Sequence, residues 1–274
     1  MILWTPEMLK DRMDDPNLRI LDVRQGEAYC NGHIPGARHF SIYGLNAYDT
    51  DPAPLHSFVQ TWAFLLGRCG IQPEHEVVIY EDNSGMTAAR GFWFLEYLGH
   101  ENVHILDGGL QAWKAAGNET TREAELPKPA VYKPDLQASR VAGHMDVREA
   151  IGKEDCVILD TRSDGEWFGT QAMARNCGTI PGAKHLEWVH HIDKDGTFKS
   201  PEALRSLYES RGIGPDHEVI ALCQAGYRSA HAYVALRLMD HPRVKNYVGS
   251  WAEWGNREGM PVVKPQDPVL APMA

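Results

Sequence analysis

At 274 residues with 43% hydrophobic content, the chain is long enough to bury a sizeable core and to form about two domains. Its net charge of −10, from 37 acidic against 27 basic residues, disfavours long-range attraction to nucleic acid or anionic lipid. No segment approaches the ~20 apolar residues of a membrane span, and no basic stretch followed by an apolar run opens the sequence, so we expect a cytoplasmic protein.

The cysteines and histidines predict neither a disulfide framework nor a metal site. Five cysteines are few, scattered and odd in number, and none forms a Cys-x-x-Cys pair. The histidines show no spacing of the His-Glu-x-x-His type, so the His190-His191 pair is predicted to be packed or solvated. We expect no metal and no cofactor.

The chain contains an internal repeat, because segments of the first half return in the same order in the second half. Ile20–Arg24 returns as Ile158–Arg162, Ile34–His39 as Ile180–His185, Gly70–Val78 as Gly212–Ile220, and Trp113 as Trp254. A period of about 140 residues indicates duplicated domains rather than a solenoid. We place the first domain at residues 1–119, a charged, proline-containing linker at 120–137, and the second domain at 138–274.

Each copy predicts a strand, a loop and a helix around one central position. Short apolar runs that are partly β-branched predict buried strands, and an amphipathic stretch follows each of them. In chain order these are Val77–Tyr80, loop 81–86 and Ala88–Leu98, then Val219–Leu222, loop 223–228 and Ser229–Met239. The pattern predicts an α/β fold of two duplicated domains, each a mainly parallel sheet flanked by helices, with ligand sites at the carboxyl ends of the strands.

The loop of the second copy carries a thiol where the first carries a carboxylate. In register, Cys223 lies against Glu81, so the two copies have diverged. A cysteine between a buried strand and a helix sits over the helix N-terminus, where free N–H groups and partial positive charge favour a thiolate. Arg228 adds a full positive charge and either faces the ligand or anchors the loop.

Most single cysteines are small buried hydrophobic residues without reactivity. The loop composition and the Glu81 counterpart favour a reactive role for Cys223. The remaining cysteines lie outside a strand-to-helix loop and are predicted to be inert: Cys30, Cys69, Cys156 and Cys177.

Several motifs resemble those of one known family. Cys223–Ser229, with the sequence Cys-Gln-Ala-Gly-Tyr-Arg-Ser, resembles the active-site loop of rhodaneses. Gly32–Ala37 and Leu106–Trp113 resemble two further segments of that family, and Arg243–Asn256 is similar to the bacterial thiosulfate:cyanide sulfurtransferases of tandem type. The resemblance covers nearly the whole chain.

This resemblance implies two rhodanese domains, of which only the second is catalytic, with Glu81 marking the inactive loop. The implied reaction moves the outer sulfur of thiosulfate to Cys223 as a persulfide, and then to cyanide or another thiophile. The partners are therefore a small anionic sulfur donor and a thiophilic acceptor, and a monomer is the default. The substrate-binding residues implied with Cys223 are Gln224, Ala225, Gly226, Tyr227, Arg228, Arg175 and Trp251. For Trp251 a packing role stays open, as does an exposed loop position for Tyr227.

Departures from the family pattern bear on the donor. 3-Mercaptopyruvate sulfurtransferases have a Cys-Gly-Ser-Gly loop and two arginines for the substrate carboxylate. Here Glu166 stands at the first of those positions, and Arg175 matches the second. Mercaptopyruvate is therefore the alternative donor rather than the first. The usual Gly-His-Ile of the family is Gly178-Thr179-Ile180, and the basic residues of vertebrate enzymes are replaced by Gln224 and Ala225.

Two other functions are alternatives to sulfur transfer. Dual-specificity phosphatases and related arsenate reductases hold an oxyanion over a loop with five residues between Cys and Arg, whereas four separate Cys223 from Arg228 here. The shorter loop suits a sulfur atom better than a tetrahedral phosphate. A non-enzymatic binding module is the other alternative, and the intact Cys223 disfavours it.

Overall fold

A computed structural model describes residues 1–266, which form two compact units. Unit 1 comprises Met1–Leu45, Leu55–Arg140 and His191–Ser200, and unit 2 comprises Asn46–Pro54, Val141–His190 and the residues from Pro201 onwards. Each unit therefore includes one short segment from the other half of the sequence. The domain limits at 1–119 and 138–274 stay a prediction about the sequence repeat, and residues 267–274 of the second domain lie outside the described part.

Unit 1 is built on five strands. They are β1 Leu3–Trp4, β2 Leu18–Asp22, β3 Ala37–His39, β4 Glu76–Tyr80 and β5 Val103–Leu106. All pairings are parallel, and the spatial order is β1-β5-β4-β2-β3. The helices are α1 Pro6–Asp11, α2 Gly26–Asn31, α3 Pro52–Arg68, α4 Met86–Tyr97 and α5 Gly109–Ala115.

Helices cover both faces of this sheet, which explains why its central strands are apolar throughout. Alternate residues of a strand point to opposite faces. Val78 and Tyr80 belong to a buried cluster with Leu9 of α1 and Trp113 of α5. On the other face, Ile79 packs so closely on α4 that a Cβ at Gly91 would lie 3.2 Å from its Cδ1.

The predicted linker packs along unit 1. The backbones of His33 and Thr121 exchange two hydrogen bonds of 2.9 Å each. Farther along, Asp135 donates its N–H to the carbonyl of Leu98, and Tyr132 is buried with its hydroxyl 3.2 Å from Nδ1 of His100. These contacts order a segment that contains neither a helix nor a strand between residues 122 and 137.

Unit 2 repeats the architecture of unit 1. Its strands are β6 Val141–Ala142, β7 Cys156–Asp160, β8 Lys184–His185, β9 Glu218–Leu222 and β10 Val244–Tyr247, all parallel and in the order β6-β10-β9-β7-β8. Its helices are α6 His144–Ala150, α7 Asp164–Trp167, α8 Pro201–Glu209, α9 Tyr227–Leu238 and α10 Ser250–Trp254. The prediction of two α/β domains with parallel sheets is confirmed.

The strand register aligns the two copies residue by residue. Asp22 of β2 pairs with Tyr80 of β4, and Asp160 of β7 pairs with Leu222 of β9. Glu81 and Cys223 are thus the first residues after equivalent strands. Trp254 is buried in the core cluster of unit 2, as its counterpart Trp113 is in unit 1.

The short exchanged segments are held by hydrogen bonds within each unit. In unit 2, Thr50 donates its N–H and its hydroxyl to the buried carboxylate of Glu253, both at 2.8 Å. In unit 1, Ser84 donates its N–H to the carbonyl of Gly196 at 2.8 Å. Within residues 1–266, no helix combines the length and the apolar composition that crossing a membrane requires.

Candidate active site

The loop that carries Cys223 connects the end of β9 to the start of α9. β9 is buried from Val219 to Leu222, and it ends where the sequence turns to Gln224 and Ala225. Gly226 caps α9 with a left-handed backbone at φ 83°, a conformation that residues with a side chain rarely adopt. The tight turn brings the Cys223 side chain back over the first turn of the helix, and only 1% of the residue is exposed.

The sulfur of Cys223 is surrounded by hydrogen-bond donors. Gly226 donates its backbone N–H to Sγ at 3.1 Å, and the hydroxyl of Ser229 lies 3.5 Å from Sγ. Burial acts to raise the pKa of this thiol, but the charge of Arg228 and the hydrogen bonds from Ser229 and Ala225 outweigh it, so the pKa is lowered. The thiolate, which is the nucleophilic form, is therefore favoured.

Arg228 is anchored by Glu166 of α7. Its Nη1 and Nη2 donate to the two carboxylate oxygens at 2.6 and 2.9 Å, which is the bidentate geometry of a strong ion pair. Burial acts to raise the pKa of Glu166, but the hydrogen bond and charge of Arg228 outweigh it and lower that pKa. The ion pair ties the first turn of α9 to α7, and the charge of Arg228 also acts on Cys223.

Glu166 also closes a capping box at the start of α7. Its carboxylate accepts from the N–H and the hydroxyl of Ser163, and Ser163 caps the helix in return. A free carboxylate at this position would repel an anionic substrate, but the charge of Glu166 is paired with Arg228.

The first turn of α10 supports the loop from below. Trp251 and Ala252 donate their backbone N–H groups to the carbonyls of Cys223 and Gln224, both at 2.9 Å. The hydroxyl of Ser250 accepts the N–H of Cys223 at 3.1 Å and donates to the carbonyl of Tyr247 at 2.7 Å. Together these bonds fix the backbone on which Sγ is carried.

Trp251 is buried, with 1% of its surface exposed. The Arg162 guanidinium lies 4.3 Å from the centre of its ring, and its Nε1 donates to the carbonyl of Asn176 at 3.1 Å. The structure thus places Trp251 beneath the loop, packed on all sides.

The remaining predicted site residues occupy different environments. Gln224 donates its Nε2 to the carbonyl of Met173 at 3.0 Å, and Tyr227 is buried rather than exposed. Ala225 is half-buried next to Gln224. Arg175 lies two residues beyond Met173, with a side chain that is 68% exposed and 3.9 Å from the carboxylate of Glu258. Its backbone N–H is tied to Oδ1 of Asn256 at 2.9 Å.

The altered motif Gly178-Thr179-Ile180 acquires a structural explanation. The hydroxyl of Thr179 donates to the buried carboxylate of Asp160 at 2.7 Å, and Arg162 pairs with the same carboxylate at 2.6 Å. In unit 1, the equivalent carboxylate of Asp22 accepts a hydrogen bond from the hydroxyl of Tyr80, also at 2.7 Å. Leu222 stands at the position of Tyr80 in unit 2, so the donor has moved to Thr179.

The equivalent loop of unit 1 holds Glu81. Its Oε1 accepts the N–H groups of Thr87 and Ala88 at 2.7 and 2.8 Å, at the start of α4. Gly85 makes room for this carboxylate, since a Cβ there would lie 2.6 Å from the carboxylate carbon. Burial raises the pKa of Glu81 to about 7.

A cavity of about 520 Å³ opens beside this loop, lined among others by Arg24, Glu81 and Asp82. Arg24 is already paired with Asp22 and Asp82, at 2.6 and 3.3 Å. The donors that surround the thiol in unit 2 are thus occupied by a side chain in unit 1.

Sequence reasoning overlooked three polar residues around the sulfur: Ser229, Ser250 and Asn246. All three are fully buried. Ser229 lies at the predicted start of a helix and at the end of the motif Cys223–Ser229, and Asn246 and Ser250 lie within the segment Arg243–Asn256. A comparison of the copies offers a signal for Asn246, because the strand register pairs it with Ala221 where the first copy pairs Ile105 with Ile79.

Comparisons with known proteins agree with this picture. A model of the rhodanese-like domain matches residues 5–116 and again 144–257. The chain is 34% identical to the sulfur carrier protein TtuD of Thermus thermophilus, over 97% of this chain and 98% of that protein. It is also 34% identical to the thiosulfate sulfurtransferase of Pseudomonas aeruginosa, over 94% of this chain and 95% of that protein.

Among solved structures, the chain is similar to SseA from Escherichia coli, one of the 3-mercaptopyruvate sulfotransferases. The two align with a TM-score of 0.79 at 27% identity. The alignment covers 92% of this chain and 99% of SseA. Each match spans the five helices and four of the five strands of one unit, and only the short first strands β1 and β6 lie outside the matched ranges. The chain therefore belongs to the rhodanese family, as a member with two rhodanese-like domains in tandem.

Proposed function

We propose that this protein moves the sulfane sulfur of thiosulfate to cyanide or another thiophilic acceptor through a persulfide on Cys223. The observation that carries the proposal is the buried Cys223 sulfur, which receives the N–H of Gly226 at 3.1 Å and has a lowered pKa next to Arg228. Relatives named thiosulfate sulfurtransferase support the same activity. The protein is a sulfurtransferase enzyme.

In the first half-reaction, the Cys223 thiolate attacks the outer sulfur of thiosulfate. The bond between the two sulfur atoms of thiosulfate breaks, its electron pair leaves with sulfite, and the outer sulfur becomes the terminal atom of an anionic persulfide. In the second half-reaction, cyanide attacks that terminal atom and leaves as thiocyanate, which restores the thiolate. Charge is balanced in both steps without an oxidant or a reductant.

The loop residues provide the anion-binding groups for this chemistry. Backbone N–H groups at the start of α9 are preorganised donors that stabilise the persulfide anion. The walls around the anion are formed by Gln224, Ala225, Gly226 and Tyr227. Arg228 lowers the energy of the anionic sulfur while Glu166 fixes its guanidinium. In this proposal Arg175 attracts the anionic donor at the surface, and Trp251 acts as a buried support of the loop.

Mercaptopyruvate is the second candidate donor. The resemblance to SseA and the exposed guanidinium of Arg175 favour it. The pairing of Arg228 with Glu166 disfavours it, because the guanidinium nearest the sulfur already holds a carboxylate. We also retain a cytoplasmic monomer as a proposal, which light scattering of the purified protein and cell fractionation would test.

The test is a steady-state comparison of thiosulfate and 3-mercaptopyruvate as donors to cyanide. Intact-mass measurement after donor treatment reports the persulfide independently, as the gain of one sulfur atom. We expect a thiosulfate preference and a persulfide, both lost in Cys223→Ala. Cys156→Ala is the matched control, because burial raises the pKa of Cys156 to about 11 and its thiol stays protonated.

A preference for mercaptopyruvate would replace the proposed donor but retain the persulfide. Failure of both donors to load Cys223, in protein whose thiol is free, would overturn the proposed function.

A further inference from the structure

Asn246 is a fully buried amide in the middle of strand β10. Its position in the first sheet is held by Ile105, which is also fully buried. Burying an amide costs free energy unless its hydrogen bonds are made. A buried amide only in the copy with the cysteine therefore suggests a role connected with the sulfur.

Asn246 is connected to Cys223 through Ser229. Oδ1 of Asn246 accepts the hydroxyl of Ser229 at 2.7 Å, and that hydroxyl oxygen lies 3.5 Å from Sγ of Cys223. Nδ2 of Asn246 donates to the carbonyl of Gly226 at 3.1 Å. A carbonyl can only accept, so this bond fixes which end of the amide faces Ser229.

The Ser229 hydroxyl has one proton and two acceptors within reach. When it donates to Asn246, its oxygen can only accept from Cys223, which suits the neutral S–H. When Cys223 is a thiolate, the same proton can also turn to the sulfur, and the bond to Asn246 is lost whenever it does so. Asn246 and the thiolate therefore compete for one proton.

We propose that Asn246 is a positioning residue for sulfur transfer, which competes with the Cys223 thiolate for the proton of the Ser229 hydroxyl. This inference rests on the proposed function for its role in turnover. In the persulfide the negative charge moves to the terminal sulfur, so Sγ no longer requires the donor and the bond between Ser229 and Asn246 re-forms.

The competition has a chemical advantage for a nucleophile. A thiolate that receives every available donor has a lower pKa but is also less nucleophilic. By withholding part of one donor, Asn246 retains nucleophilicity, and it favours the persulfide over the thiolate.

Other charged groups near this network remain the same in the test. The charge that acts on Cys223 is that of Arg228, with its partner Glu166. The elements packed around the loop add Asp160 of β7, its partner Arg162 just beyond the end of that strand, and Glu253 of α10. None of these is altered by a change at Asn246 or Ser229.

The experiment is a double-mutant cycle of Asn246→Leu and Ser229→Ala. The quantity measured in each variant is the pKa of Cys223, obtained from the pH dependence of its alkylation by iodoacetamide. Asn246→Leu removes the competitor at similar volume, so the pKa should fall by about half a unit to one unit, the worth of one neutral hydrogen bond. Ser229→Ala should raise the pKa. In the Ser229→Ala background, Asn246→Leu should cause no further shift.

Turnover and a matched variant complete the design. Rapid-mixing rates of persulfide formation, corrected for the thiolate fraction, should fall about two- to threefold in Asn246→Leu. Ile105→Leu places leucine at the equivalent position of the other sheet and should change neither the pKa nor the rate. If Asn246→Leu does not fold, the smaller strand-forming Asn246→Val carries the same cycle.

An unchanged pKa in Asn246→Leu, or an equal fall in the presence and absence of the Ser229 hydroxyl, would overturn the inference. Alkylation does not require a sulfur donor, so the two proposals fail separately. Loss of persulfide formation from every donor with an intact cycle would reject the proposed function alone.

Discussion

The two strand-to-helix loops, 81–85 in unit 1 and 223–226 in unit 2, use one backbone arrangement for opposite purposes. Each follows a buried central strand and ends at the N-terminus of a helix whose N–H groups point into the loop. In unit 1 these groups are bound by the carboxylate of Glu81, and in unit 2 they surround the sulfur of Cys223. The comparison teaches that the fold provides an anion site in both copies, and that one side chain decides whether the site is filled or reactive.

The charge environment has diverged together with that side chain. The counterparts of Glu166 and Arg228 in unit 1 are Ala28 and Met86. Unit 1, which has no thiol in this loop, therefore lacks both members of the ion pair. Because both are replaced together, neither is left as a buried charge without a partner. Three variants test this difference between the two loops.

The largest effect is expected from Arg228→Met, which gives the second loop the residue of the first. Loss of the positive charge should raise the pKa of Cys223 and reduce kcat/KM for thiosulfate by about 100-fold or more. Glu166 would remain buried and unpaired, which should lower the free energy of unfolding by about 3–5 kcal/mol. Denaturant unfolding and steady-state kinetics measure the two effects.

The double variant Arg228→Met/Glu166→Gln separates these roles. It removes the unpaired carboxylate, so stability should largely return while activity stays low. Recovery of activity in the double variant would mean that Arg228 serves only to neutralise Glu166.

An intermediate effect, on stability alone, is expected from Glu81→Gln. The pKa of Glu81 is raised by burial from 4.5 to about 7, so the folded state binds more protons than the unfolded state between these values. The contribution of Glu81 to the free energy of unfolding is therefore fully present below pH 4.5, and it is lost as the pH rises through 7. Glu81→Gln should stabilise the protein by about 3 kcal/mol at pH 8 and by less than about 1 kcal/mol at pH 5.

Thermal unfolding at the two pH values measures this difference. Asp82→Asn, at the exposed neighbouring carboxylate, should change stability by less than about 0.5 kcal/mol at either pH. Equal stabilisation by Glu81→Gln at pH 5 and pH 8 would contradict the assignment, as would a loss of sulfur transfer.

The smallest effect is expected from Arg175→Ala. The side chains of Arg175 and Glu258 are 68% and 94% exposed, and such pairs contribute little to stability. The KM for thiosulfate should rise by no more than about threefold at low salt, and the difference should vanish near 1 M salt because the charges are screened. Glu258→Ala should change KM in the opposite direction, and a tenfold, salt-insensitive effect of Arg175→Ala would indicate direct contact with the donor.

Much of the fold could be predicted because the same pattern of segments occurs in both halves of the sequence. The runs Val77–Tyr80 and Val219–Leu222 predicted strands, and the structure extends each by one glutamate at its start. The predicted helices begin two residues earlier than expected, at Met86 and Tyr227, because the turns are tighter than the loop composition suggested. The exchange of the segments Asn46–Pro54 and His191–Ser200 could not be predicted, since it depends on long-range hydrogen bonds such as those between Thr50 and Glu253.

The duplication, the parallel α/β class and the position of a thiol at a helix N-terminus can all be predicted from the sequence. These follow from local patterns: apolar runs of strand length, turn residues, and the register of one copy against the other. Three features could not be predicted and are seen in the folded protein alone: Arg228 is paired with Glu166, Trp251 is buried beneath the loop, and the Ser229 hydroxyl donates to Asn246. Those contacts join residues from different strands and helices, and their distances depend on how the sheet and helices pack.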